Sequence, residues 1–473
     1  MLQTLKNAWR TKDIRSKILF TAFIILLYRI GTVVPVPFVD ANNFAGSFQG
    51  TILDYLNILS GGSLGTATLF ALGVSPYINA SIIIQLLSVV FPKLGELAKN
   101  DKKKMGYITR ITTVALAIVT AIGYYFLLSN AGMLTNAATA SDNSLFWFYG
   151  IVIVACYVAG ATLIMWLADR VNERGIGNGI SMILFANIVA TIPSQGINLV
   201  GLVIDTFGYE NPVGYAIVAI LFVLMFVLIT LAFTVFVIFI TGSERRIGVN
   251  YAKRVVNRKM YGGQSSFLPI KLNMTGVMPV IFASSIVSLV PTILALCGIT
   301  SETKNGWGTF AKIIGSDGVV YPIMLFILII AFAYFYTAIT FDPIEVANNL
   351  KKQGGAIPGI RQGRPTSDFI RKILNKITLA GALFLSVIAV VPAIAGPHLI
   401  RPLLEWIIGG VADSYDASQI ATLQPQIESM AQQLSSVFTF GGTSLIIVVG
   451  VALETFRDLE AQLTMRSYKG FLN

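Results

Sequence analysis

The chain has 473 residues, of which 55% are hydrophobic and only 12% charged, and its net charge is +11. Soluble globular proteins carry about 25% charged residues, so this composition excludes an ordinary soluble fold and points to lipid. A basic balance suits either nucleic acid or Lys/Arg-rich cytoplasmic loops, and the placement of the charges decides between them.

At the N-terminus, Lys6, Arg10, Lys12, Arg15 and Lys17 precede an apolar stretch over 18–34. Arg29 interrupts that stretch, Pro35 and Pro37 follow it, and no small-x-small cleavage site is present. The stretch therefore reads as a retained first span rather than a signal peptide. Residues 2–14, with Leu2, Leu5 and Trp9 among basic residues, are expected to form a short helix on the membrane surface.

A helix needs roughly 20 apolar residues to cross about 30 Å of hydrocarbon. Spans are predicted at 18–34, 74–91, 111–129, 146–168, 180–202, 215–240, 274–297, 321–341, 377–395 and 443–456. The segments between them alternate sharply in charge. Of 34 Lys and Arg, all but Arg29, Lys304, Lys312 and Arg401 fall in 1–17, 92–110, 169–179, 241–273, 342–376 and 457–473. The positive-inside rule puts that set, with both termini, in the cytoplasm, which requires an even number of spans. Two halves of five helices are then oppositely oriented, the arithmetic of an inverted repeat. The organisation expected is a cytoplasmic amphipathic segment at 1–17, an N-terminal half at 18–202, a C-terminal half at 215–456 and a cytoplasmic tail at 457–473. The fold class is all-α and polytopic.

Residues 57–73 break the pattern. The apolar stretch 64–73 is too short to span and is rich in Gly, Ser and Thr. It reads either as part of a kinked, over-long helix or as a half-helix that enters from outside and turns back. Backbone ends at membrane depth are tolerated only inside protein or beside water, so the second reading implies a cavity within the bundle.

The span interiors hold almost nothing that titrates. Arg29, Arg110, Asp169, Asp342 and Glu454 lie near span ends, where snorkelling or helix-end pairing accounts for them. An ion-coupled transporter of a small solute would need a titrating or cation-binding group deep in its helices. An intramembrane enzyme would need paired Asp, Ser–His or His–Glu groups. Neither pattern is visible. There is no G-x-x-x-x-G-K-[ST] loop. Cys156 and Cys297 stand alone in apolar runs and read as small hydrophobes, and the single histidine, His398, excludes HExxH chemistry. The walls are those of a passive conduit whose driving force comes from a partner.

Six segments are more specific. They are Arg29-Ile-Gly with Pro35-Val-Pro37, and Gly61-Gly with the run from Phe70 to Gln85 (FALGVSPYINASIIIQ). Then come Glu173 to Ser181 (ERGIGNGIS) and Arg245 to Arg254 (RRIGVNYAKR). The last two are Asn349-Leu-Lys-Lys-Gln with Ile357-Pro-Gly-Ile-Arg361, and Phe440-Gly-Gly-Thr-Ser-Leu445. Together, in order along almost the whole chain, they closely resemble the SecY family of protein-conducting channel subunits in the bacterial plasma membrane.

The resemblance implies roles residue by residue. A half-helix over 60–72, with Ser60, Gly61, Gly62, Leu64, Thr66, Leu69 and Phe70, would be an external plug. Val74, Ile78, Ile180, Leu184, Ile281 and Ile447 would form a constriction ring; branched aliphatic side chains can yield around an extended polypeptide and exclude ions by dewetting. Helices 2 and 7 would flank a lateral opening towards membrane lipid, beside Asn79, Gln85 and Asn273. Arg245, Arg246, Lys253, Arg254, Lys351, Lys352 and Arg361 would dock the ribosome, through its RNA, or the SecA motor ATPase. SecE and SecG would be small membrane partners. Signal peptides and nascent polypeptides would be the cargo. No cofactor is implied. Gln362 stands where the family commonly has proline, which leaves the tip of that loop less rigid. The external segment 397–438 is much longer than in common bacterial members.

Overall fold

The computed structural model describes residues 2–40, 52–134, 143–207, 212–251, 254–256, 259–261, 265–296, 299, 306–315, 318, 320–396 and 441–465. Lys253, Cys297, His398, Lys304, Arg401, the external segment 397–438 and the end of the tail lie outside the described residues.

The helices are α1 (Leu2–Arg10), α2 (Lys12–Gly31), α3 (Ile52–Leu59), α4 (Ser75–Val90), α5 (Pro92–Asn100), α6 (Lys102–Asn130), α7 (Asn143–Arg174), α8 (Gly179–Phe207) and α9 (Pro212–Gly242). They continue with α10 (Met278–Leu296), α11 (Gly306–Ile314), α12 (Val320–Thr340), α13 (Pro343–Lys352) and α14 (Arg364–Ala395). A last helix, α15, covers 441–465. Each of the ten expected spans falls on a helix: α2, α4, α6 to α10, α12, α14 and α15. Among the described residues, four of these, α6, α7, α12 and α14, are long and apolar enough to cross a bilayer on length and composition alone. Their outward faces expose Val119, Phe126, Ile151, Trp166, Ile323, Ile327, Leu383 and Ile394. Only hydrocarbon tolerates such a surface, because helices satisfy their own backbone groups and need no water there.

Helix starts follow local chemistry. Pro92 and Pro343 open α5 and α13, where a missing N–H costs nothing. Asp342 caps α13 by accepting from the Ile344 N–H at 2.9 Å, and Asp101 caps α6 by accepting from the Lys104 N–H at 3.2 Å. Several helices run past the expected span ends because their terminal turns pack on protein. In α14, Ile370, Leu374 and Ile377 recur at helical spacing and face a small core with Ile247, Val249, Ile270, Leu350 and Ile357.

The all-α polytopic bundle is present, and that small core adds a short β-sheet to it. Loops 241–273 and 342–376 join in a three-stranded sheet of order β4-β1-β5, with β1 Glu244–Tyr251, β4 Ser265–Lys271 and β5 Gly355–Ala356. Strand β1 pairs antiparallel with both neighbours, Ile247 opposite Leu268 and Asn250 opposite Ala356. Strands β2 (Arg254–Val256) and β3 (Lys259–Tyr261) pair as a second ribbon. Charge placement alone reads these segments as loops, but the buried Ile247 and Val249 alternate with less buried Arg246, Gly248 and Asn250, the period of a half-buried strand.

The basic segments gather at one end of the bundle. Ala8, Ile14, Ile176 and Leu459 form one cluster from three of them. Arg110 pairs with Asp169 at 2.8 Å, and Arg457 Nη2 donates to the Thr241 carbonyl at 2.7 Å. The helix-end pairing expected for Arg110 and Asp169 is therefore present. The predicted surface helix is α1; it stops at Thr11, with Trp9 exposed and Ala8 buried.

Candidate functional site

All six aliphatic residues singled out in the sequence meet in the central core. Val74 is the last residue before α4, and Ile78 lies one turn further on; Ile180 and Leu184 repeat that spacing at the start of α8. Ile281 lies in the first turn of α10 and Ile447 in α15. Val74, Ile78, Leu184, Ile281 and Ile447 are each at most 4% exposed and belong to one cluster, with Ile180 packed against it. Their side chains carry no polar atom, so the junction offers neither ions nor water a partner.

The same cluster holds Ile58, Leu59 and Phe70 from the segment before α4. The expected half-helix is displaced. The helix is α3, over Ile52–Leu59, and residues 60–74 run as successive turns. The Gly, Ser and Thr residues account for this, because their side chains and free φ angles compete with helical bonding. Ser60 Oγ donates to the Asn57 carbonyl at 3.0 Å and accepts from the Leu64 N–H at 3.1 Å, and Asn57 Oδ1 accepts from the Gly65 N–H at 2.8 Å. Tyr124 on α6 donates its hydroxyl to the Leu64 carbonyl, and Tyr157 on α7 donates to the Ala67 carbonyl at 3.3 Å. The Leu69 N–H donates to the Val34 carbonyl at 2.9 Å. Of the seven residues picked here, Ser60, Leu64 and Phe70 are buried and Thr66 is exposed. Sequence reading missed α3, Tyr124 and Tyr157, because single tyrosines in apolar spans carry no motif.

Helix α4 packs against α10, as the expected seam requires. Gln85 on α4 accepts from the Tyr336 hydroxyl of α12 at 2.7 Å and donates through Nε2 to Ser81 Oγ at 3.0 Å. Phe282 of α10 packs on Tyr336 with ring centroids 5.3 Å apart. The buried Asn79 Oδ1 has no hydrogen-bond partner among the described residues. Asn273 is not grouped with these two. It lines a cavity of about 530 Å³ with Gly177, Asn178, Thr241, Lys271, Glu454, Arg457 and Asp458. The reason is its place in the chain: Asn273 follows β4 and precedes α10, so it belongs to the basic end of the bundle.

On that end, Arg245, Lys351, Lys352 and Arg361 are exposed. Arg246 is exposed too, but its Nε pairs with Glu244 at 2.8 Å. Pairing of β1 with β5 brings the two predicted docking loops together; Arg254 begins β2, at the far end of the same excursion. The loop tip at Gln362 is tied down, since Gln362 Nε2 donates to the Gly355 carbonyl at 3.1 Å. Asp101, between α5 and α6, has its carboxyl held below the usual range, chiefly by the Lys104 backbone N–H and then by the Lys104 side chain. Among the described residues no three His, Cys, Asp or Glu side chains group as metal ligands.

Comparison with known proteins follows the same outline. The SecY family matches residues 68–456. The protein translocase subunit SecY of Streptomyces galbus is 40% identical over 494 residues, covering 100% of both chains. A solved structure concerned with the plug domain of the SecY protein, described as stabilising the closed state of the translocation channel and maintaining a membrane seal, aligns with a TM-score of 0.57. It is 16% identical and covers 94% of this chain and 92% of that one. Sec61 in the canine ribosome-channel complex from the endoplasmic reticulum aligns with a TM-score of 0.55 at 15% identity over the same shares. At such identities these two structures speak for the fold alone.

Proposed function

Because the chain belongs to the SecY family and is a subunit of a protein-conducting channel in a membrane, we propose that Val74, Ile78, Ile180, Leu184, Ile281 and Ile447 form its constriction and that residues 52–74 seal it from outside. The observation that carries this reading is the convergence of α4, α8, α10 and α15 on one aliphatic cluster that also holds Phe70 and Leu59. Such a junction yields to an extended polypeptide through rotamer changes, and at rest it disfavours water and ions. A secondary transporter gains no support from the family.

The remaining assignments follow from this one. The two five-helix halves, 18–202 and 215–456, flank the junction as oppositely oriented units. The gap between α4 and α10 releases apolar segments into lipid, with Gln85 and Asn79 along it; Asn273 belongs to the cytoplasmic mouth instead. The basic end, with both termini, faces the cytoplasm of a bacterial plasma membrane. Its exposed Arg245, Lys351, Lys352 and Arg361 meet ribosomal RNA phosphates or the SecA motor, and SecE and SecG accompany the chain in the bilayer. Photo-crosslinkers placed singly at the six aliphatic positions, in a channel holding an arrested secretory chain, test the central claim. All six should capture the chain. Capture at flanking lipid-facing positions such as Ile327, and not at these six, would refute it.

A further inference from the structure

Arg29 is the one basic residue inside an expected span, and the conduit does not account for it. Its guanidinium is half-buried and makes no ion pair among the described residues. Its partners are backbone carbonyls: Nη1 donates to Gly61 at 3.4 Å, and Nη2 donates to Ala186 at 2.8 Å and to Asn187 at 3.5 Å. Asn187, on α8 and fully buried, approaches the same turn. Its Nδ2 donates to the Leu59 carbonyl at 2.7 Å and to the Tyr28 hydroxyl at 2.9 Å.

Leu59 and Gly61 close helix α3. The last carbonyls of a helix lack intrahelical donors. Here the Gly62 N–H reaches the Asn57 carbonyl at 2.8 Å and the Gly61 N–H reaches the Ile58 carbonyl at 3.0 Å, with Gly61 at φ +72°. That is a Schellman turn. The Leu59 and Gly61 carbonyls are left to donors from outside the segment, one from α8 and one from α2. A Cβ at Gly61 would lie 2.8 Å from both Arg29 Nη1 and Asn187 Oδ1, so the glycine is what admits them.

We propose that Arg29 and Asn187 are positioning residues that form a two-point latch, holding the end of α3 against α2 and α8 while the channel is shut. The proposal rests on reading residues 52–74 as a movable seal. The choice of partners makes the latch reversible. When the segment leaves, Arg29 keeps the Ala186 and Asn187 carbonyls, and Asn187 keeps the Tyr28 hydroxyl. Opening therefore breaks two hydrogen bonds without stranding a buried charge, whereas a carboxylate partner on the segment would have locked it.

The test is resting ion conductance of the full chain in its native complex, reconstituted in planar bilayers. Variants are Asn187→Leu, Arg29→Gln, Arg29→Lys and a deletion of residues 60–70. Loss of either point should raise the open fraction roughly tenfold, and Arg29→Lys, which retains a cationic donor, should restore part of the seal. If Asn187→Leu fails to assemble, Asn187→Ala carries that arm. A leaky deletion with tight point variants overturns the latch and leaves the seal standing. A deletion as tight as the parent overturns the seal and the latch together.

Discussion

The Tyr336 hydroxyl donates to Gln85 Oε1 at 2.7 Å, so α12 reaches past α10 to hold α4. The bond crosses the seam proposed for lateral release, and Phe282 of α10 packs on the same tyrosine. A buried neutral hydrogen bond contributes about 1 kcal/mol, roughly a fivefold change in an equilibrium. Tyr336→Phe keeps the ring and removes the donor. It should favour the open seam by about that factor and let preproteins with weakened signal peptides through at a higher rate. Unchanged export of such substrates would remove Tyr336 from the gate.

Replacing Ile78, Ile180, Ile281 and Ile447 by Gly or Ser should make the resting channel leak small ions. The residues pack in one aliphatic cluster, and truncating them opens a path that water can enter. Conductance in planar bilayers checks this, and no rise above the parent would count against a ring at these positions.

Charge reversal at the exposed Arg361 should impair export while leaving the membrane insertion of this chain intact. If its partner is ribosomal RNA, removing one arginine–phosphate pair should flatten the slope of log affinity against log salt by about 1. Binding of ribosomes to proteoliposomes over a salt series measures it. Weaker binding with an unchanged slope would point to a protein partner instead.

Gly31 sits under the Phe70 ring, which also stacks on Tyr28 at 5.3 Å with planes 15° apart. Gly31→Ala should collide with that ring and destabilise the chain by about 1–3 kcal/mol, as overpacking does. Phe70→Leu in the same chain should relieve much of the clash. Thermal melting of the two single variants and the double variant reads the coupling, and simple additivity would place the two residues out of contact.

Asp101 predicts a pH dependence of known sign. Its folded-state pKa is lowered, so its capping of α6 is fully present above the unfolded carboxylate pKa and is lost as pH falls through the depressed folded value. Amide exchange at the first turn of α6 should quicken on acidification in the parent. Asn at this position still caps but does not titrate, so Asp101→Asn should flatten the profile.

Much of this molecule is written locally. The helices that carry the ten expected spans, and the gathering of the basic segments at one end, follow from apolar run length and Lys/Arg placement, because burying a charge or an unpaired peptide group in hydrocarbon is costly wherever it occurs. The aliphatic six were legible only through ordered motifs, since any one isoleucine in an apolar span looks like packing. Other features depend on residues far apart in the chain. The sheet that joins Asn250 to Ala356, the seating of Asn273 in a cavity with Glu454, Arg457 and Asp458, and the turns that replace the half-helix expected over 60–72 all required tertiary structure. So did the meeting of Arg29, Asn187 and Gly61. A hydrogen bond between residues 128 or more positions apart leaves no periodic trace in sequence; which carbonyl a buried donor finds is settled only when the helices pack.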